Sequence, residues 1–477
     1  MLVSSLVLLV FSGASLCPPI SASRAADQLY EDLLYYYNKN VRPVKNASDI
    51  MEVGFGASLI RIINVDEINQ ILTTNLWLEM QWVDHKLVWD VGDYDGVDKL
   101  HVPSEQIWTP DICLYNNADG SPDITIASDA MVYSDGRVRW RPPAIYNSFC
   151  EIDIEFFPYD SQTCHMKFGG WTHNGFFLVV NQIPVNKDDK AEIREDEEGN
   201  TYFYLARGMD ISYYYESAEW DLMEVTSRRN EQLYPGCCAQ QKYVDVTFYL
   251  KIRRKPLFFT VNLVVPIMLI AILTTFVFYI PSSGHKITFS ISILVTLMVF
   301  FLVLVDLIPP TSLVIPLIGK YLLFTMVLVG ISISVSVFTL NIFHRNGRTH
   351  KMPEWISPYF LRVTDLPQMR LSILARQRGL YPDLIRQLIV NVSFIAEHFR
   401  QLEDENKISE DWSYVAMVID RLFLIFFTVV NVAGTLMIAL QAPSLYDTQL
   451  PLKSPVVSEP LSADRWAEIA PLVNSTA

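Results

Sequence analysis

The apolar run FFTVNLVVPIMLIAILTTFVFYI, at residues 258–280, divides the chain into two parts of different composition. It is long enough to cross the hydrocarbon core of a bilayer as a helix. Three more runs of this kind follow at 287–308, 313–343 and 418–440. A single run could be a buried helix of a soluble protein, but four runs with almost no charge predict four membrane-spanning helices.

The composition of the whole chain also indicates a membrane protein. Of its 477 residues, 51% are hydrophobic and 19% are charged, and the mean hydropathy is +0.22. Aspartate and glutamate number 52 against 37 lysines and arginines, which gives a net charge of -15. Because nucleic-acid binding requires a basic surface, this charge argues against a nucleic-acid partner.

Residues 1–25 predict a signal peptide. A short apolar run at 2–11 is followed by small residues at 21–26, which suit signal peptidase, although no basic side chain precedes the run. The alternative is a hydrophobic N-terminal helix that stays in the protein. A cleaved signal peptide would place residues 26–255 outside the cytoplasm.

Residues 26–255 are polar on average and predict a short helix at 27–38 followed by an all-β domain. Between 75 and 82 the side chains alternate, as in a strand with one buried face. The apolar face consists of Leu76, Leu78, Met80 and Trp82, and the other face of Trp77, Glu79 and Gln81. Turn signals such as Asp135-Gly136 separate further short strands, which is typical of a β-sandwich.

The charges that flank the apolar runs predict the orientation in the membrane. Basic residues are dense between 345 and 378, so residues 344–414 are predicted to form a cytoplasmic loop. Its last part has apolar residues at helical spacing and predicts an amphipathic helix that continues into the fourth span, 415–442; the helix would serve clustering or trafficking, or would only support the structure. Four spans place both chain ends outside, including a tail at 443–477, with glycosylation sequons at Asn46 and Asn474.

Six cysteines are present, and Cys17 would leave with the signal peptide. The simplest pairing in an oxidising compartment is Cys150 with Cys164, which closes a loop of about 15 residues worth about 3 kcal/mol in the chain-entropy model. Cys237 and Cys238 could each pair elsewhere, but a bond between these two neighbours is the simpler prediction. Cys113 would then remain a thiol.

The second span, about 286–308, carries a stripe that suits a pore lining. Hydroxyl groups lie at one end, aliphatic side chains follow on the same face, and a carboxylate ends the stripe. Its members are Thr288, Ser292, Val295, Val299, Leu302 and Asp306. The alternative is helix packing through small hydroxyl residues, which is common in membranes. One such helix cannot enclose a pore, so several subunits would contribute one each.

Aromatic residues near turn signals suggest a site for an organic cation. Electron-rich rings that converge on one space attract a cation, and each close ring contributes about 1 kcal/mol or more once the cation is desolvated. The candidates are Trp77, Tyr115, Trp171, Tyr234 and Tyr243. Taken singly, each of these rings could equally belong to a core or a surface.

Four features occur together in this chain: Cys150 and Cys164 around Phe157-Pro158-Tyr159-Asp160, the motif Trp108-Thr109-Pro110-Asp111, the segment around Trp171, and the second span with Pro309-Pro310 beyond it. In these features the sequence resembles nicotinic acetylcholine receptor subunits of the pentameric Cys-loop ligand-gated ion channel family, over essentially the whole mature chain. The adjacent Cys237 and Cys238 resemble the mark of an alpha-type subunit. The implied fold is an extracellular all-β sandwich with a short N-terminal helix, a four-helix transmembrane bundle and an amphipathic cytoplasmic helix.

The resemblance also implies the site residues. The principal face of the agonist site would consist of Tyr115, Trp171, Tyr234, Cys237, Cys238 and Tyr243. The complementary face, used by a neighbouring subunit, would consist of Trp77, Met131, Arg139 and Arg141. Agonist binding would be coupled to pore opening through Phe157, Pro158, Asp160, Arg254 and Pro309. In this scheme Arg254 pairs with acidic groups, which explains why basic residues at 251–255 stand against the positive-inside rule.

Three departures from the family pattern bear on these expectations. Tyr234 is one residue farther from Cys237 than is usual, and Val295 stands where the family usually has leucine. Gly284-His285-Lys286 stands where cation-selective members usually have Gly-Glu-Lys, and a histidine does not replace that negative charge at pH 7. Some invertebrate levamisole-type alpha subunits resemble this variant, which favours a heteropentamer whose other subunits supply the acidic ring.

The expected function is therefore that of an alpha-type subunit of an acetylcholine-gated, cation-selective channel in a postsynaptic plasma membrane. Alternatives are a subunit for another transmitter or for anions and, from a different class, a non-conducting membrane receptor or adhesion protein. An enzyme is not expected, because the sequence has no His-Glu-x-x-His, Gly-x-Ser-x-Gly or phosphate-loop motif. Neither a cofactor nor a metal is expected.

Overall fold

The computed structural model describes residues 24–121, 124, 126–186, 188–196, 199–233, 242–281, 285–311, 313–345, 383–443 and 446–453. These residues form two compact units. The first unit contains residues 24–153, 161–255 and 448–453, and the second contains 154–160 and 256–447, each within the described parts of the chain.

The first unit is a β-sandwich preceded by helix α1, Arg24–Leu34. The helix begins and ends earlier than the predicted 27–38. The strands are β1 (Met51–Asp66), β2 (Ile71–Val83), β3 (Lys99–Pro103), β4 (Ile112–Leu114), β5 (Asp129–Tyr133), β6 (Arg137–Trp140), β7 (Pro143–Phe149), β8 (Ser161–Gly170), β9 (Leu178–Gln182), β10 (Glu192–Glu195), β11 (Thr201–Leu205), β12 (Trp220–Leu233) and β13 (Lys242–Arg254).

Two sheets form the sandwich. The seven-stranded sheet has the order β3-β5-β6-β2-β1-β9, with β7 also paired to β2, and the six-stranded sheet has the order β10-β11-β12-β13-β8-β4. Phe55 of β1 packs between the sheets, with its ring centroid 5.2 Å from Phe168 and 5.9 Å from Phe248 of the second sheet. The predicted sandwich is thus confirmed.

Local sequence explains several of these elements. At the predicted Asp135-Gly136 turn, Gly136 has a φ of 87°, and a Cβ there would lie 2.6 Å from the carbonyl oxygen of Asp84. Only glycine fits this turn between β5 and β6. The predicted disulfide between Cys150 and Cys164 is present and links the start of the loop after β7 to β8.

Within the described parts of the chain, four helices of the second unit are long and apolar enough to span a membrane, which confirms the four predicted spans. They are α2 (Leu257–Phe276), α3 (Lys286–Leu307), α4 (Leu317–Phe343) and the helix α5 (Asp383–Ala439). Within α2 the residues Thr260–Val264 form a π-helical turn ahead of Pro266. The proline has no N–H to donate to the regular ladder, and the wider turn accommodates this gap.

Helix α5 runs without interruption for 57 residues. The predicted amphipathic helix and the fourth span are therefore one continuous element. Apolar side chains on its first part, including Leu388, Val392, Ile395 and Phe399, are exposed in the single chain.

A short tail after α5 belongs to the β-sandwich unit. The amide N–H of Leu452 donates to the carbonyl oxygen of Leu222 in β12 across 2.7 Å. The guanidinium group of Arg253 donates to the carbonyl oxygen of Gln449 across 3.2 Å. Residues 448–453 therefore belong to the same compact unit as the sandwich, and the predicted extracellular position of the tail stays a prediction.

Candidate functional site

The loop after β8 exposes Trp171 and is held in place by Asp111. The backbone N–H of Trp171 donates to the carbonyl oxygen of Asp111, and the N–H of Thr172 donates to its carboxylate across 2.7 Å. The hydroxyl of Thr172 and Nδ1 of His173 contact the same carboxylate. Asp111 thus anchors three consecutive residues, Trp171 through its backbone carbonyl and the next two through its carboxylate, while the indole of Trp171 remains 69% exposed.

Tyr115 lies beside this tryptophan. The two ring centroids are 6.1 Å apart in an edge-to-face arrangement, and the Tyr115 hydroxyl donates to the carbonyl oxygen of Gly170 across 2.6 Å. A Cβ at Gly169 would lie 2.6 Å from that hydroxyl, so a glycine is needed where the tyrosine crosses β8. The structure therefore brings together two of the predicted principal-face rings.

Sequence reasoning missed a charged pair next to Tyr115. The ammonium group of Lys167 lies 6.0 Å from the Tyr115 ring centroid and 3.3 Å from the buried carboxylate of Asp245. Asp245 also accepts from Asn230 and Thr247 across 2.8 and 2.9 Å. These residues meet because β8 and β12 both pair with β13, and no local sequence motif predicts that pairing.

The remaining principal-face residues come after β12 in sequence, and only one of them is described by the structure. Tyr243 is half-buried in β13 opposite Gln232 of β12. Tyr234, Cys237 and Cys238 lie outside the described residues, so their predicted roles and the predicted bond between the cysteines stay predictions.

A second aromatic group lies on the other sheet. Trp77 of β2 is 43% exposed, and its ring centroid is 5.5 Å from that of Tyr213. Together with Ser58, Glu79, Arg141 and Asp210, these rings line a cavity of about 130 Å³. Tyr213 was not predicted, because it lies in an irregular segment between β11 and β12, far from Trp77 in sequence.

The predicted complementary-face arginines bind a buried carboxylate. Glu79 accepts from Arg139 across 2.7 Å and from Arg141 across 2.9 Å, and Gln81 also donates to it. The face of β2 that we expected to be polar and open is therefore buried at Glu79 and Gln81. Burial raises the pKa of the Glu79 carboxyl, and the charge of Arg139 opposes this shift. Met131 of β5 is opposite Arg139 in the register of the strands.

Helix α3 has two distinct faces. The predicted pore residues Thr288, Ser292, Val295, Val299, Leu302 and Asp306 are all exposed in the single chain, as is His285 just before the helix. The opposite face is buried and contains Lys286, Ser290, Ile293, Leu297 and Leu304. The predicted stripe is thus a continuous face that no other helix of the same chain covers in the described parts of the chain.

Two groups of predicted coupling residues have partners within their own units. In the β-sandwich, Arg254 is buried, pairs with Glu67 across 2.7 Å and stacks over the Trp220 ring at 4.3 Å. In the helical unit, Phe157 contacts Phe259 with 5.1 Å between ring centroids. Pro158, Asp160 and Pro309 are buried.

Residues 154–160, inside the loop that the Cys150–Cys164 disulfide closes, make polar contacts with two of the helices. The hydroxyl oxygens of Tyr159 and Thr260 lie 3.2 Å apart, and the N–H of Leu317 donates to the carbonyl oxygen of Glu155 across 2.8 Å. Residues 154–160 thereby contact the starts of both α2 and α4. The sequon residue Asn46 is exposed, and its glycosylation stays a prediction.

These features define a multi-pass membrane receptor with an extracellular β-sandwich. Family models describe the two parts: the neurotransmitter-gated ion-channel ligand binding domain matches residues 26–256, and the corresponding transmembrane region matches residues 263–378 and 366–439. The chain belongs to the neurotransmitter-gated ion-channel family.

Individual relatives match over nearly their whole length. The chain is 43% identical to acetylcholine receptor subunit alpha-type unc-63 of Caenorhabditis elegans, with 91% of this chain and 96% of that protein covered. It is 42% identical to acetylcholine receptor subunit alpha-like of Manduca sexta, with 90% and 92% covered. It is also 41% identical to acetylcholine receptor subunit beta-like 2 of Drosophila melanogaster, with 96% of each covered.

Proposed function

We propose that this chain is an alpha-type subunit of an acetylcholine-gated, cation-selective heteropentamer. The observation that carries the proposal is the exposed Trp171, which Asp111 holds beside Tyr115. The names of the relatives supply the agonist class, and the β-sandwich supplies the frame. Quaternary ammonium groups are the ligands that such aromatic surfaces bind best.

The agonist site needs two subunits. Trp171 follows β8 of the six-stranded sheet, whereas Trp77 lies in β2 of the seven-stranded sheet. The principal group, which also includes Tyr234, Tyr243, Cys237 and Cys238, takes one side of the ligand. A neighbouring subunit offers its complementary face, on which this chain has Trp77, Met131, Arg139 and Arg141.

The exposed stripe of α3 lines the pore when five such helices surround one axis. Hydroxyl groups of Thr288 and Ser292 face the ions near the cytoplasmic end, and Val295, Val299 and Leu302 form an apolar constriction that dewets when the channel closes. Asp306 places a negative charge at the outer end. His285 lacks the acid of typical cation-selective members, so companion subunits supply the negative ring at the inner mouth.

Binding opens the pore because agonist binds the open state more tightly than the closed state. The hairpin strand β13 ends at Arg254, whose pairing with Glu67 changes with the position of the strand. Residues 154–160 contact the starts of α2 and α4, and Pro309 follows the pore helix. These groups connect the agonist site to the pore.

The test is an acetylcholine dose response of Trp171→Ala in cells that also express a non-alpha companion with Gly-Glu-Lys before its second span. The half-maximal concentration is expected to rise at least tenfold, because a desolvated cation-π contact contributes about 2 kcal/mol. Phe176→Ala, which removes another exposed aromatic ring of the same loop, is the matched control and should leave the response unchanged.

The same cells test selectivity through the reversal potential during exchange of sodium and chloride. A current that requires the companion and follows sodium supports the heteromer. A current from this chain alone that follows chloride would overturn the cation assignment, and an unchanged response of Trp171→Ala would remove this subunit's principal face from the site.

A further inference from the structure

Lys286 and Asp420 form an ion pair inside the helical unit. The Nζ atom of Lys286 donates to Oδ1 of Asp420 across 2.6 Å, and the two side chains are 2% and 6% exposed. Lys286 is the first residue of α3, and Asp420 lies in the apolar part of α5. Removing one partner of such a pair leaves an uncompensated charge away from water, which is strongly destabilising.

An aromatic side chain closes this pair off further. The Nζ atom of Lys286 lies 5.2 Å from the ring centroid of Phe278, which is itself buried after the end of α2. Phe278 packs on Phe427 of α5 with 4.8 Å between ring centroids. The ammonium group is therefore enclosed by three parts of the same chain.

Helical phase explains why neighbouring residues have opposite environments. Lys286 lies on the buried face of α3, one turn before Ser290. His285 immediately precedes it and is exposed, like Thr288 and Ser292 on the proposed pore face. One residue advances an α-helix by about 100°, so Lys286 and Thr288, two positions apart, lie on opposite sides of the helix axis.

We propose that Asp420 sets the charge at the inner mouth of the pore by holding Lys286 within the subunit. This inference rests on the proposed function, because it requires that α3 line the pore. Asp420 is a positioning residue because it does not touch the permeating ion. It acts by retaining the ammonium group of Lys286, which would otherwise lie beside the path of the permeating ion. The inner mouth then presents His285 and the acids of companion subunits, without a ring of lysines.

The electrostatic consequence is direct. A lysine released from Asp420 in several subunits would add several positive charges at one narrow level of the pore, where rings of charged side chains determine which ions pass. Cation current would fall and the permeability to chloride would rise. Neutralising both partners would remove the released charge and restore the original balance.

The experiment compares Asp420→Asn, Lys286→Gln and the double variant in the same companion-containing channels, with single-channel conductance, reversal potential and surface agonist binding as readouts. Among receptors that reach the surface, counted by agonist binding, Asp420→Asn is expected to lower sodium conductance at least about twofold and to move the reversal potential toward that of chloride. The double variant should restore wild-type conductance, reversal potential and surface number. Lys286→Gln alone should not raise conductance.

Glu410→Gln, an exposed acid on the same helix, is the matched control and should behave as wild type. Wild-type behaviour of Asp420→Asn would overturn the inference. A conductance well above wild type in Lys286→Gln or in the double variant would also overturn it, since the ammonium group would then already face the pore. Failure of the proposed function has a different signature, which is the lack of any acetylcholine-gated current in wild-type channels.

Discussion

The role of Arg254 could be predicted because this residue departs from the positive-inside rule. Its positive charge precedes the first span on the predicted extracellular side, where basic residues are uncommon. In the structure Arg254 is buried against Glu67 and the ring of Trp220. The sequence predicted an acidic partner but not which one, because Glu67 lies in the β1–β2 turn at a sequence distance that no local pattern spans. Lys167, Asp245 and Tyr213 had no such local signal and were missed.

Replacing Arg254 with glutamine should separate binding from gating. Agonist binding is expected to stay near wild type, while the maximal current per surface receptor falls about 5- to 150-fold, the range of typical coupling free energies. Voltage clamp with parallel surface binding measures both quantities. Lys251→Gln, which removes a basic residue of the same strand, is the control, and a loss of binding in Arg254→Gln would contradict this role.

His165 is expected to make the β-sandwich less stable in acid. Burial lowers the pKa of its imidazole, and the nearby charge of Lys167 acts in the same direction. In acid the unfolded chain then binds more protons at His165 than the folded chain does. The contribution of His165 to the free energy of unfolding is therefore constant above about pH 6.5 and falls as the pH drops through that value toward the lower folded pKa.

Thermal unfolding of the intact receptor in detergent between pH 7.5 and 5 measures this effect. His165→Gln should flatten the decline in melting temperature, whereas His101→Gln, at an exposed histidine of β3, should not. An identical decline in wild type and His165→Gln would show that the imidazole does not contribute.

At the scale of elements, period and hydropathy predicted most of the structure. The four spans, the amphipathic helix before the fourth span and the exposed stripe of α3 all follow from spacing along one helix, which does not depend on distant contacts. The π-helical turn in α2 and the burial of Lys286 were not predicted. Each depends on what packs against the helix. From the sequence alone Lys286 is a charge that flanks an apolar run, and its burial depends on Asp420 of α5, which lies far away in the sequence.

The two faces of α3 predict a contrast between two serines. Ser292→Cys should react with a water-borne thiol reagent and lose most of its current, because Ser292 lies on the exposed stripe. Ser290→Cys should be protected, because Ser290 is fully buried on the opposite face. Current before and after reagent application measures both, and protection of Ser292→Cys would contradict a water-filled pore along this face.

At the scale of the whole molecule, the division at residue 256 was evident from composition. Composition did not show that one short segment on each side of residue 256 belongs to the unit on the other side. Residues 154–160 come from the disulfide loop of the sandwich sequence yet group with the helices, and residues 448–453 follow the last helix yet group with the sandwich. Both result from contacts between segments far apart in sequence. Composition alone assigned each segment to its neighbours in the chain.

The tail contact is expected to affect gating. β11 pairs with β12 only at its Ser227–Arg229 part, so the carbonyl oxygen of Leu222 lies on an edge that β11 does not cover, and the N–H of Leu452 binds it there. Leu452→Pro removes this donor and should shift the acetylcholine dose response about two- to tenfold at unchanged surface number, since one backbone hydrogen bond contributes about 1 kcal/mol.

Leu450→Pro is the matched control for the tail, because Leu450 is 87% exposed. Equal dose responses for Leu452→Pro, Leu450→Pro and wild type would show that the docked tail does not influence gating.

The unbroken course of α5 has a mechanical meaning. At about 1.5 Å per residue, its 57 residues form a rod about 85 Å long, whereas the hydrocarbon core of a bilayer takes up only about 30 Å. More than half of the rod therefore projects beyond the membrane, without a hinge between the projecting part and the span. A protein bound to the projecting end would be joined to the transmembrane segment by continuous helix, so we expect a displacement of that end to be transmitted to the span rather than absorbed by a flexible linker.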